Sequence, residues 1–161
     1  MSQQYEIIKL PAYRAVGLRW EGTYKEVHTI RDVIHTMKSR VEELPQAVKP
    51  DAQLGLSYHL IPEGFVHYSV FEVGPEQTVP DDMVEIVVPE MTYLFTRHEG
   101  GNIGETYNQV ALWLEQNGYT PAKEPGVTYY DPLPIKHERY SLLSDSQDPH
   151  FDILIPVEPL A

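Results

Sequence analysis

The residues best suited to chemistry in this chain are aromatic. It has eleven Tyr, four Phe and two Trp. A tyrosine joins a flat apolar ring to a polar tip, which suits the wall of an amphipathic pocket. Tyr58, Tyr68, Tyr93 and Tyr130 fall in runs that read as structured elements, and Phe95 lies two residues from Tyr93. Asp152 is the candidate charge. In the run 151–157 the apolar residues Phe151, Ile153 and Ile155 alternate with it, so it points to the opposite side. A carboxylate beside aromatic rings attracts a cation through charge and ring quadrupole together. Trp113 stands one step off the apolar stripe of its helix, placed either to pack or to reach a groove rim. These seven residues are the expected ligand contacts, and together they favour a pocket for flat, apolar or cationic molecules.

Other chemistries find little support. The chain has no cysteine, which excludes disulfides, thiolate catalysis and Cys-based zinc sites. No GxSxG or HExxH occurs. The run Gly100-Gly101-Asn102-Ile103-Gly104 lacks the spacing and the Lys-Ser/Thr of a phosphate loop, so it reads as a turn. His28 and His35 stand one heptad apart, too far to share a metal. No metal and no cofactor is expected. Glu21 and Glu99 are placed to favour helix N-termini electrostatically.

Charge narrows the partners. Acidic residues outnumber Lys and Arg 24 to 12, giving a net charge of −12. Binding a phosphate backbone needs the reverse, so no direct DNA binding is expected. An acidic surface instead attracts a cationic ligand or a basic patch on a protein partner. No apolar run approaches the roughly 20 residues of a membrane span, and Met1-Ser2-Gln3-Gln4-Tyr5 shows no secretory signal. A cytoplasmic location is expected.

The elements that position these residues form a repeat. Arg19-Trp20-Glu21-Gly22 nearly recurs as Arg97-His98-Glu99-Gly100, each following a proline (Pro11, Pro89) at the same distance. A slide of 78 residues also aligns Ile8 with Ile86. A weaker echo pairs Gly55-Leu56-Ser57-Tyr58 with Gly126-Val127-Thr128-Tyr129. In repeat one, about 5–73, strands are expected at 5–10, 13–20, 53–60 and 65–73. Val27, Ile30, Ile34, Met37, Val41 and Leu44 give an amphipathic helix over 24–44, with Thr23 and Glu26 as a capping box. Residues 74–81 are the joint. In repeat two, about 83–157, strands are expected at 83–88, 91–98, 127–131 and 151–157. A helix runs between Asn102 and Gly118. The polar stretch 132–150 is either a lid or a disordered insert. The fold class is α+β: one domain over 1–161, made of duplicated β-α-β-β units with pseudo-twofold symmetry. Two long helices cover one face of a joint antiparallel sheet. In strand 91–98, Leu94 matches the core position Val16, so Tyr93 and Phe95 face a groove on the other side. There they oppose Ala15 and Gly17, and large against small leaves asymmetric space for a ligand.

Several of these features together resemble the GyrI-like effector-binding domain. They are the duplicated plan, the Glu-Gly step before each helix, the run Ala111-Leu112-Trp113-Leu114-Glu115-Gln116-Asn117-Gly118-Tyr119, and the ending Phe151-Asp152-Ile153-Leu154-Ile155-Pro156-Val157. That domain is the ligand-sensing half of AraC- and MerR-type multidrug regulators, and it occurs alone in the bacterial DNA gyrase inhibitor. The resemblance implies a groove between the halves for bulky, often cationic compounds. Asp152 fits the acidic position of the ending, where Glu is more usual. A second family acid lies on the penultimate strand, where this chain has Thr128-Tyr129-Tyr130-Asp131. With a strand inside the first ten residues and no helix-turn-helix before it, a stand-alone small-molecule binding protein is the expected function. The resemblance implies two alternatives. One is a hydrolase of cyclopropanoid DNA-alkylating toxins with Asp152 as its catalytic carboxylate. The other is a protein-interaction module acting on DNA gyrase or a toxin.

Overall fold

Alternation with period two sends Val16, Leu18 and Trp20 to one side of a strand and Ala15, Gly17 and Arg19 to the other. In the computed structural model, which describes residues 4–141 and 150–160, this run is β2, Tyr13–Thr23. The other strands are β1 (Glu6–Leu10), β3 (Ala52–Tyr58), β4 (Gly64–Val73), β5 (Val84–Val88), β6 (Met91–Glu99), β7 (Tyr119–Pro121), β8 (Ile135–Ser141) and β9 (His150–Pro159). They form an antiparallel sheet in the order β1-β6-β9-β8-β3-β4-β2-β5, and β7 pairs with the end of β9.

The sheet is two copies of one unit that exchange their first strands. β1 pairs with β6 of the second half, and β5 pairs with β2 of the first. The registers agree: Glu6 faces Phe95, and 78 residues along and back, Val84 faces Gly17. Further in, Ala15 faces Glu72 as Tyr93 faces Pro156, and Leu54 faces Val70 as His137 faces Leu154. The halves meet along β3 and β8, where Gly55 faces Glu138.

Two helices lie on one face. α1 (Ile30–Ser39) packs against Val16, Phe71 and Val73, with Met37 fully buried. α2 (Ile103–Gln116) places Val110 and Leu114 on Leu94, Ile153 and Ile155. Each such buried side chain contributes roughly 1.5–3 kcal/mol through the hydrophobic effect. Asn102 caps α2 by accepting the Glu105 N–H at 3.2 Å, and Gly118 ends the segment at φ +79°, where a side chain would be strained.

The first helix is shorter than its apolar stripe implies. The stretch 24–44 divides into a 3₁₀ turn (Tyr24–Thr29), α1 and a second 3₁₀ turn (Val41–Glu43). Local side-chain bonds tighten the first turn. Glu26 Oε1 accepts from both the N–H and the hydroxyl of Thr23, at 3.0 and 3.1 Å. The Thr29 hydroxyl donates to the Glu26 carbonyl at 2.7 Å and accepts the Trp20 indole N–H at 2.8 Å. Val27 is left exposed as a result.

The penultimate strand is also corrected. It is β8, Ile135–Ser141, inside the stretch expected to be loop, whereas 127–131 is not a strand. The register pairs Gly55 of one half with position 138 of the other, so the Gly126 echo is not a structural equivalence. Residues 142–149 of the expected loop lie outside the described residues.

Candidate ligand-binding groove

The face without helices is built from the alternate residues of each strand. Tyr58 and Tyr68, from β3 and β4, meet edge to face with ring centres 5.8 Å apart. The Tyr58 hydroxyl bonds His137 Nε2 on β8 at 3.0 Å, and the His137 ring lies 5.8 Å from that of Tyr93 on β6. This row of rings crosses the seam between the halves and divides the groove in two. The larger compartment, about 910 Å³, lies against the β5–β6 turn and is walled by Tyr58, Tyr68, Ile86, Met91, Tyr129 and Ile135. The smaller, about 220 Å³, lies against the β1–β2 turn, between Tyr13, Tyr93, His137 and the apolar side chains of Leu54, Leu56 and Leu154. The two turns are equivalent under the pseudo-twofold, so the compartments are the same feature met twice with different side chains.

Their charges differ. At the larger compartment's edge stand Glu90, Glu124 and Glu158 against Lys9 and Lys123, and Lys9 is paired to Glu90 at 2.8 Å. The smaller has Glu72, Glu138, Arg139 and the exposed Lys49, with the Glu138 carboxyl occupied by the hydroxyls of Tyr107 on α2 and Tyr140. Glu72 has no ion-pair partner among the described residues. Burial, together with Tyr93 and Glu72, pushes the Tyr13 hydroxyl well above its usual pKa, and Arg139 pulls the other way. Burial pushes Tyr93 up to about 12, so both phenols stay protonated. The Tyr93 hydroxyl is buried with no hydrogen-bond partner among the described residues. Burial holds His137 down to about 3, so it is neutral.

Asp152 is on this face, as its alternation implies, but it is not an open charge. It is 9% exposed, and it accepts Arg97 Nε at 3.0 Å and Arg139 Nε and Nη2 at 2.9 and 2.7 Å. It lines neither compartment. Phe95 shares the face, with the Arg139 guanidinium 6.0 Å from its ring centre, and it too lines neither compartment. Of the seven expected contacts, Tyr58 and Tyr68 wall the larger compartment and Tyr93 the smaller. Trp113 is elsewhere, beside Tyr5 and Tyr119 at ring distances of 5.4 and 6.1 Å among the helix-side residues. Tyr130 is half exposed in a loop, where its N–H donates to the His59 carbonyl at 2.9 Å. Sequence reasoning missed Tyr13, Glu72, His137 and Arg139. Parity with Ala15 could have found Tyr13, and recognising β8 as a strand would have found His137 and Arg139.

Among the described residues, no group of three or more His, Asp or Glu side chains could hold a metal ion, and no helix is long and apolar enough to cross a membrane. A family profile described as the GyrI-like small molecule binding domain matches residues 3–157. The chain belongs to the GyrI-like family.

Solved structures share this GyrI-like fold. The EcmrR C-terminal domain superposes with a TM-score of 0.70 at 18% identity, covering 99% of this chain and all of that one. In the EcmrR–DNA complex the match has a TM-score of 0.69 at 17% identity and covers 98% of this chain, which spans only 58% of the EcmrR chain. SAV2435 bound to tetraphenylphosphonium matches with a TM-score of 0.65 at 13% identity, over 96% of this chain and 94% of that one. A hydrolase from Listeria innocua matches at 0.63 and 12% identity, over 97% and 92%. At these identities the likeness shows the fold alone. No protein with a curated description matches the sequence significantly.

Proposed function

We propose that this GyrI-like domain is a receptor for a bulky hydrophobic or cationic aromatic compound, held in the larger compartment of the groove. The observation that carries the reading is an aromatic-walled space of about 910 Å³ on the helix-free face. That volume falls within the range of small-molecule sites. Tyr58 and Tyr68 offer two ring faces set at 84° to each other, a corner that suits a ligand with rings in more than one plane. The acids at the rim outnumber the lysines three to two, which favours a cation over an anion. Tetraphenylphosphonium, the ligand in the SAV2435 structure, combines these features and serves as the first probe.

Calorimetry tests the proposal. Both tryptophans lie among helix-side residues, so their fluorescence is a poor reporter of the groove. Saturable binding of tetraphenylphosphonium is expected, weakened about tenfold or more in Tyr68→Ala. A folded chain that binds neither this cation nor any of a panel of bulky neutral dyes overturns the reading.

A further inference from the structure

We propose that the smaller compartment is a separate binding site for a small zwitterion carrying one aromatic ring, of the kind an aromatic amino acid represents. It is a different space from the receptor site above. The Tyr58–His137 bond stands between them, with Tyr58 on the larger side and His137 on the smaller.

Size sets the first limit. A dry cavity of about 150 Å³ takes up benzene, so about 220 Å³ holds one ring with a short polar tail. Leu54, Leu56 and Leu154 give that ring an apolar surface. The polar groups then select the tail. Glu72 offers a half-buried carboxylate without an ion-pair partner among the described residues. Arg139 spends Nε and Nη2 on Asp152, which leaves Nη1 without a partner there. Lys49 adds a second positive group. The Tyr93 hydroxyl, on a residue 1% exposed, lacks any partner among the described residues, and such a buried group gains when a ligand supplies one.

Glu72 and Arg139 line the same small compartment as Tyr13, so both signs of charge border one space. A simple amine would satisfy Glu72 and meet Arg139 and Lys49 unfavourably. A simple carboxylate would do the reverse. A molecule with both groups satisfies both, with its ammonium on Glu72 and its carboxylate toward Arg139 Nη1 and the Tyr93 hydroxyl.

The test is calorimetric titration with three probes of nearly one shape: L-phenylalanine, phenethylamine and hydrocinnamate. L-Phenylalanine is expected to bind at least tenfold more tightly than either partial mimic. Glu72→Gln should cost it about tenfold while leaving hydrocinnamate as it was or tighter, and Tyr93→Phe should cost it about threefold. Circular dichroism confirms that both variants are folded. Saturating L-phenylalanine should leave tetraphenylphosphonium binding unchanged. Equal affinities for the three probes, no binding of L-phenylalanine, or mutual displacement with tetraphenylphosphonium each overturns the inference. Failure of both tetraphenylphosphonium and the panel of bulky neutral dyes to bind would sink the receptor reading and leave this one standing.

Discussion

Gly55 and Glu138 face each other across the β3–β8 pair, and each holds in its own half the place the other holds in the second. The pseudo-twofold axis passes between them. One position has no side chain and the other a carboxyl, and that difference organises the sheet beneath the helices. The missing side chain makes room for the rings of His67 and Tyr140. Glu138 fills the layer from the other half and accepts the hydroxyls of Tyr107 on α2 and Tyr140 on its own strand.

Gly55→Ala is expected to destabilise the chain by about 1–3 kcal/mol, the usual cost of overpacking. The added Cβ would sit 3.0 Å from His67 Cε1 and 3.3 Å from Tyr140 Cε2. His67 is held by Ser57 Oγ at 2.9 Å and Tyr140 by Glu138, so neither ring can yield cheaply. Urea denaturation reads the change. Unaltered stability would mean that the rings shift freely and that the glycine is not needed.

Burial raises the pKa of Glu138, while the two tyrosine hydroxyls and Lys136 oppose that rise. A carboxyl with a raised folded pKa binds its proton more tightly folded than unfolded. Its cost to stability is absent below the ordinary carboxylate range and complete above the raised value. Stability should therefore fall as pH rises through that window. Glu138→Gln carries no titrating proton, so the stability of the wild-type chain relative to this variant should decline from acid to neutral pH. Parallel pH profiles for the two chains would show that Glu138 titrates as it does unfolded.

Three buried histidines act in the opposite direction. Burial holds His59 and His67 down to about 4 and His137 to about 3, with the charge of Lys136 adding to the effect at His59. Unfolded, each regains its ordinary value near 6.5 and takes up a proton that the folded form refuses. Stability is thus untouched above that pH and lost as the pH falls from about 6.5 toward 4, by up to about 1.4 kcal/mol per pH unit for each histidine. Acid titration of the unfolding free energy should show a steep fall in this interval. His67→Asn should lower its slope by about one proton; an unchanged slope would remove His67 from the account.

The repeat made most of the fold legible. Pro11 and Pro89, the Glu-Gly steps and the 78-residue slide located β1, β2, β5 and β6, and parity placed Tyr93 and Asp152 on the correct face. β8 was not legible. Ile-Lys-His-Glu-Arg-Tyr-Ser has little apolar content, because its polar side chains are satisfied by partners on both faces: Tyr58 for His137, Asp152 for Arg139, Tyr107 for Glu138. A strand that pairs on both edges needs no apolar alternation when such contacts exist. Missing it hid the smaller compartment and the arginine that engages Asp152. Trp113 illustrates the limit of helical spacing, since a residue at the edge of a stripe can turn toward either neighbour, and here Tyr5 and Tyr119 take it.

Asp152→Asn separates charge from structure. The carboxylate accepts from both Arg97 and Arg139 while 9% exposed, so its loss leaves the half-buried Arg139 without its ion-pair partner. A charge-assisted bond to a group this buried is worth about 1.5–3 kcal/mol, and a loss of stability on that scale is expected in urea. Tetraphenylphosphonium affinity should change by less than twofold. Asp152 lines neither compartment, and the larger one contacts β9 only from Val157 onward, five residues along the strand. A strand advances about 3.3 Å per residue, so about 16 Å of β9 lies between the two, and Arg97 and Arg139 offset the charge of Asp152 where it stands. Glu124→Gln and Glu158→Gln, at the rim itself, should weaken the cation instead, and more at low salt than at high. A tenfold loss of cation affinity in folded Asp152→Asn would show that this carboxylate, despite its two arginines, still reaches the ligand.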